Sequence, residues 1–195
     1  MKFLYYTILI LLLGGCEKNK IIYKHDPKWD IATYVYNNEI GKKVFVQLKK
    51  EKNLSVCESG FALLGTKEIQ CMHCGFNYFN EITLDEARGI LVEAISLYLD
   101  AINKNERIRP FLNHHPFTPE NVEIRIFLFT RERAIPAPEK LQFISFTEGK
   151  LKYSIGVLDS RRYPIVVCEE TYEEAMEKLR KPIEDNTQII KTSCI

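Results

Sequence analysis

The chain is 195 residues long and carries 27 basic against 26 acidic side chains, a formal net charge of +1. A nucleic-acid-binding domain carries a basic surplus, so this balance sets that class aside. The length suits one well-packed domain, and no repeat or low-complexity block points to a solenoid or a disordered tract.

The chain opens MKFLYYTILILLLGGC, with one lysine, an apolar run and small residues before a cysteine. The run 3–15 is thirteen residues, short of the roughly 20 that span a bilayer, so it reads as an export signal and not as an anchor. Leu13-Gly14-Gly15-Cys16 resembles the lipobox of bacterial lipoprotein precursors. The resemblance implies cleavage before Cys16 and acylation of its thiol and amino group. Two or three acyl chains, at about 0.8 kcal/mol per buried methylene, hold a protein firmly at a membrane. Glu17 follows, where retention in the inner membrane is associated with Asp, and this favours the outer membrane. Removal of residues 1–15 takes away Lys2 and no acid, leaving 26 charges of each sign. The expected organisation is a signal peptide (1–15), a lipid-anchored polar tether (16–26), one domain (27–182) and a C-terminal tail (183–195).

Residues 30–52 have two periodicities. Ile31, Tyr34, Val35, Asn38, Phe45 and Leu48 hint at a helical stripe, while Val44, Val46 and Leu48 alternate. Helix is preferred, because acids lie early and Lys42, Lys43, Lys49, Lys50 and Lys52 late, as the dipole favours, with Gly41 a point of interruption. Ser59-Gly60 reads as a loop. Residues 67–79 alternate as a strand, with Met72, Cys74, Phe76 and Tyr78 on one face and Ile69, Cys71 and His73 on the other.

The best helix signal follows. Thr83 and Glu86 form a capping box, and Leu84, Ala87, Ile90, Leu91, Ala94, Ile95, Tyr98, Ala101 and Ile102 share a broad arc. An arc so wide predicts a central helix with contacts on two sides. Arg88 lies inside it and needs a carboxylate, a carbonyl or water; the irregular chain beyond the helix or a nearby acid is the expected partner. Asn103 to Asn105 and Pro110 end the helix.

Residues 122–130, 141–147 and 150–156 read as three antiparallel neighbours, the last two joined by a hairpin turn at Glu148-Gly149. Residues 134–138 form a proline-bearing loop. Residues 163–168 add a further strand, and Thr171 with Glu174 caps a second helix that Pro182 stops. The predicted class is α+β: an antiparallel sheet of four or five strands with helices packed chiefly on one face. GxGxxG, GxxxxGK and GxSxG are all absent, so no motif identifies a substrate or a reaction.

Two constellations could carry chemistry. In Cys71-Met72-His73-Cys74 a redox role needs a helix N-terminus beside the first cysteine, and a zinc site needs a second ligand pair. On a strand, residues three apart point to opposite faces, so Cys71 and Cys74 cannot pair with each other. Core thiols, or a structural disulfide to Cys57 or Cys168, are the simpler reading, with Cys194 as the leftover thiol. The second constellation, 107–118, holds Arg107, Arg109, Asn113, His114 and His115 with Pro110 and Pro116, and Pro119 follows directly. It could bind an anion, ligate a metal or transfer protons. Alternatively Phe111, Leu112 and Phe117 pin the loop to the core and the histidines bond backbone or water.

The succession Glu86-Ala87-Arg88, Tyr98-Leu99, Ala101-Ile102-Asn103, Ile108-Arg109-Pro110-Phe111-Leu112, Pro116-Phe117-Thr118 and Asn121-Val122-Glu123-Ile124 resembles a group of uncharacterised lipoproteins from host-associated bacteria. The resemblance implies one domain plus a lipid anchor, and it carries no activity or catalytic residue. The expectation is a lipid-anchored envelope protein acting as a binding or structural component. Its partners are the membrane, through lipid on Cys16, and a protein or an anionic ligand; neither cofactor nor metal is expected. The alternative is a periplasmic enzyme, such as a hydrolase, using His114 or His115 with Arg109. A deep pocket with a carboxylate beside one imidazole favours the enzyme, and a filled surface loop favours binding.

Overall fold

The computed structural model describes residues 27–65, 68–158 and 164–180. The expected signal and tether (1–26) and the expected tail (183–195) lie outside the described residues. The N-terminal helical stretch runs as α1 (Lys28–Val35), a π-helical turn (Tyr36–Gly41) and α2 (Lys42–Lys52). Its core stripe is Ala32, Val35, Tyr36, Ile40, Val44 and Leu48. A four-residue spacing drifts about 40° per step around a regular α-helix, and the wider π turn takes back part of that drift. The stripe expected from sequence is corrected in part: Ile31 and Tyr34 face solvent. Asn53 closes α2 in the left-handed conformation, its N–H reaching the Leu48 carbonyl.

Two strands follow, β1 (Ser55–Leu64) and β2 (Glu68–Tyr78). Helix α3 (Leu84–Asn103) begins as the capping box requires, with the Thr83 N–H donating to Glu86 Oε2 at 2.8 Å and the Glu86 N–H to Thr83 Oγ1 at 3.3 Å. Next come β3 (Val122–Leu128), β4 (Leu141–Thr147), β5 (Lys150–Leu158), β6 (Pro164–Thr171) and α4 (Tyr172–Arg180). Both capping boxes are formed, the second by reciprocal bonds between Thr171 and Glu174. The hairpin between β4 and β5 turns at Glu148 (φ 54) and Gly149 (φ 75), the two positive values that a type I′ turn demands.

The fold is α+β, with the strands in the order β1-β2-β3-β4-β5-β6. This corrects the expected count of four or five. The additional strand is β1, where Ser59-Gly60 mimics a loop; pairing with β2 overrides that local signal. The sheet is also mixed, not wholly antiparallel, because β2 and β3 run parallel. A helix of 20 residues is about 30 Å long and returns the chain to the end from which it left, which makes β2-α3-β3 a parallel crossover. All other pairs are antiparallel.

Register places Met72, Cys74 and Phe76 beside Val122, Ile124 and Ile126, then Ile144 and Phe146, then Leu151 and Tyr153, then Cys168 and Glu170, all on one face. These residues are buried, and the helices lie over them. The Phe45 ring meets Phe76, Tyr172 meets Phe146, and α3 contacts β3, β4 and β5. Ile69 departs from the simple alternation. Ala62 pairs with Cys71 but Leu63 pairs with Ile69, so Gln70 is an extra residue and Ile69 swings to the helix side, where it is fully buried.

Candidate functional site

The histidine loop leaves α3 and crosses to β3 under an unusual number of asparagine bonds. Asn103 pairs with the backbone of Phe117 in both directions, Nδ2 donating to its carbonyl at 2.9 Å and Oδ1 accepting its N–H at 2.7 Å. Asn105 Oδ1 accepts from the N–H groups of Arg107 and Ile108, while its Nδ2 donates to Glu39, which also pairs with Arg107. Asn121 accepts from the Thr118 N–H and donates to the Gln70 carbonyl. Ile108, Leu112 and Phe117 are buried, Leu112 forms a parallel bridge with Ile69, and the His115–Pro116 peptide is cis.

Arg109 is exposed at the start of a short 3-10 turn. His114 is exposed with its ring 5.6 Å from that of Phe117. His115 is exposed, with Nε2 3.1 Å from the Asn103 carbonyl oxygen, so this nitrogen carries the donated hydrogen. The two imidazoles are thus taken by different neighbours. Among the described residues neither stands within ion-pair distance of a carboxylate. Two depressions among the described residues lie elsewhere and are open to solvent. One is bounded by Tyr78, Ile82, Ile90 and the Lys52–Glu93 ion pair, the other by Asn80, Thr130 and Arg131. Asn113 Oδ1 is the one buried side-chain nitrogen or oxygen lacking a hydrogen-bond partner among the described residues, and nothing in the sequence marked it.

The Cys71-Met72-His73-Cys74 run spans both faces of β2. Cys74 is buried under the helices and Cys71 sits half-buried on the opposite side; both are free thiols, as is Cys57. Burial, with Glu123 nearby, pushes the Cys71 thiol up to about 11. Burial holds the Cys74 thiol well above its usual range. Neither is a thiolate near neutral pH, which is the form that nucleophilic, redox or metal chemistry uses. No group of three or more His, Cys, Asp or Glu able to hold a metal occurs among the described residues. The His73 carbonyl instead accepts the Tyr36 hydroxyl at 2.9 Å, and Tyr36 and Tyr98 share a bond of 2.9 Å.

The face of the sheet away from the helices is a lattice set by register. One row runs Glu58, Gly75, Arg125, Ser145, Lys152, Glu169 across all six strands. Beside it run Gly60, His73 and Glu123, and on the other side Ser55, Asn77, Phe127, Phe143, Ser154 and Val166. At two glycines a side chain crosses overhead: a Cβ on Gly60 would stand 2.9 Å from the His73 ring, and one on Gly75 would displace the Glu58 side chain. Arg125 bonds Glu58 at 3.0 Å and Glu123 at 3.1 Å, and Lys150 bonds Glu169 at 2.7 Å. Three acids (Glu58, Glu123, Glu169) face three bases (Arg125, Lys150, Lys152), so this surface is self-neutralised and has no bias towards an anion. The Phe127 and Phe143 rings, 5.2 Å apart, add an apolar strip.

On the helix side, Glu170 gathers a buried charge cluster that sequence reasoning found only in part. It accepts from Arg88 Nε at 2.7 Å, Tyr153 Oη at 2.6 Å and Lys178 Nζ at 2.7 Å, and Arg88 also bonds Asp85. Arg88 therefore satisfies acids, as one of the two expectations held, and not the proline-rich crossing, which the asparagines hold instead. The missed signal was an acid on the apolar alternation of β6. Opposite charges on two apolar faces have to meet. Compared with protein-family models, curated proteins and solved structures, the chain matches none.

Proposed function

We propose that the chain is a bacterial lipoprotein: cleaved before Cys16, acylated there, and carrying its α+β domain at the envelope as a binding or structural component. The observation that carries this reading is the run Leu13-Gly14-Gly15-Cys16 after a short apolar segment. Among the described residues no helix is long and apolar enough to cross a membrane. A binding role is favoured over catalysis by the filled loop around His114 and His115, whose rings are taken by Phe117 and a backbone carbonyl. It is favoured too by the partly exposed polar groups on the other face of the sheet, Glu58, Glu123 and Arg125 among the described residues, which a partner can meet by hydrogen bonding. The enzyme reading with Arg109 has no comparable support, since catalysis needs a base oriented by a third group beside an enclosed space.

The test is fractionation with metabolic labelling. Wild-type protein takes up labelled fatty acid and partitions with membranes, and Cys16→Ala protein does neither. Wild-type protein that takes up no label, with Cys16→Ala protein still at the membrane by the same route, overturns the reading.

A further inference from the structure

Four large apolar side chains are left in solvent at one end of the domain. β1 finishes on Leu63 and Leu64, which are 36% and 51% exposed, and α1 shows Ile31 at 52% and Tyr34 at 56%. Trp29 joins the two elements, its ring centroid 6.2 Å from that of Phe61 on β1 and 6.2 Å from that of Phe111 in the loop after α3. Leu63 pairs with Ile69, and Ile69 bridges to Leu112, so the end of β1, the start of β2 and this loop lie side by side. Arg107 lies over the Tyr34 ring, 5.9 Å from its centroid, and is itself paired with Glu39. Burial of apolar surface, more than charge, is what this end has to offer a partner.

The two ends of the domain stand differently to a lipid on Cys16. β2 has 11 residues, so it is about 36 Å long. It starts at the apolar end, and β3 runs parallel to it, which puts Tyr78, Leu128 and the exposed Ile135 at the far end. Cys16 and Pro27 are eleven peptide steps apart, a span of at most about 40 Å. Pro27, beside the apolar end, is therefore always within that distance of an anchored Cys16, whereas the far end reaches the bilayer only with those eleven steps at nearly full stretch. We propose that Trp29, Ile31, Tyr34, Leu63 and Leu64 dock in the interfacial layer of the membrane that holds the anchor, an inference that rests on the lipoprotein reading. Tryptophan and tyrosine favour the headgroup level, where the ring is sheltered and its polar atom stays wet. Isoleucine and leucine beside them bury into the boundary of the acyl chains. The Arg107 stem follows Tyr34 and leaves its guanidinium among the phosphates. The docked domain stands on this end, with its strands rising from the membrane and the Ile135 end outermost.

Trp29 is the chain's one tryptophan, so its fluorescence reports on this end alone. Full-length protein purified from membranes is reconstituted into phosphatidylcholine vesicles with and without bromine on the upper acyl chain. The expected result is a roughly twofold loss of Trp29 emission in the brominated vesicles, as for an interfacial ring. A double variant, Ile31→Glu with Leu64→Glu, changes two sites that are over half exposed; it should stay on the vesicles through its lipid and lose the quenching. Ile135→Glu, at the far end, should behave as wild type. The mass of the Cys16 peptide separates the two readings. Acylated, vesicle-bound wild-type protein with an unquenched Trp29 overturns the docking alone, and unacylated protein that is neither bound nor quenched overturns both. Unquenched Trp29 with crosslinked dimers assigns this end to a second copy of the chain and overturns the docking, as does an equal loss of quenching in Ile135→Glu protein.

Discussion

Arg88 illustrates how much a single charge can hold in this molecule. Its side chain is 7% exposed and that of Glu170 is 2% exposed, so removing either leaves the other uncompensated in a low-dielectric interior. Arg88→Ala is expected to lose on the order of 3–5 kcal/mol, the usual cost of breaking a buried pair. Arg109→Ala, at an exposed loop position, should stay within about 0.5 kcal/mol of wild type. Denaturant melts compared by midpoint at constant slope decide the matter. A larger loss for Arg109→Ala would mean that the loop charges are structural. The same cluster predicts the acid limb of the stability curve. Desolvation opposes ionisation of Glu170, but bonds from Arg88, Lys178 and Tyr153 outweigh it and hold its carboxyl below the ordinary 4.5. A depressed folded value means that the contribution is complete above pH 4.5 and lost as pH falls through that folded value. Glu170→Gln should flatten stability against pH in this window; an unchanged acid limb would show that other carboxylates set it. Tyr36 works at the opposite end of the scale. Burial raises its hydroxyl from 10.0 to about 12, despite the bond from Tyr98. Neutral Tyr36 therefore contributes fully below pH 10 and loses its contribution as pH rises towards 12. An ultraviolet difference titration should find this tyrosine ionising only above pH 10, with alkaline unfolding, and a normal titration would refute its burial.

At the scale of elements, the crossing from α3 to β3 is the case where composition misleads. Two histidines and two arginines among prolines invite a catalytic reading, yet the residues that organise the segment are the asparagines, which replace secondary structure as partners for its backbone. Asn103→Ala removes both partners of Phe117 and should cost on the order of 1–3 kcal/mol. The sharper readout is the Phe117 amide, expected to lose exchange protection while amides in β4 keep theirs. Retained protection at Phe117 would mean that the buried ring alone, 3% exposed, fixes the loop. β1 teaches the reverse lesson. Ser59-Gly60 looks like a break only until β2 lies beside it, where the bare glycine is what lets the His73 ring cross. The strand from Glu68 to Tyr78 was legible because Met72, Cys74 and Phe76 alternate, but the displacement of Ile69 was not, since a bulge depends on both strands of the pair.

For the whole molecule, the sheet order places β3 and β4 in the middle, paired on both sides, and β1 and β6 at the rims. Native-state hydrogen exchange should accordingly be slowest in Val122–Leu128 and Leu141–Thr147 and faster along β1. Slowest exchange in β1 would contradict the topology. Helices on one side leave the other with a lattice of partly exposed charges that cancel within a few ångströms, consistent with a chain of formal net charge +1.

What the sequence determined by itself is what depends on neighbours along the chain. Both capped helix starts, the alternation of β2 and β3, the I′ hairpin and the α+β class follow from residues a few positions apart. The proposed lipobox rests on the sequence alone. The tertiary structure decided what depends on residues distant in sequence. It made β2 and β3 parallel, turned Ser59-Gly60 into strand, brought Glu170 to Arg88 across 82 positions, and gave His114 and His115 to a ring and a carbonyl. Pairing energies between remote strands and the shared burial of opposite charges have no local signature, because each half is unfavourable until the other is in place.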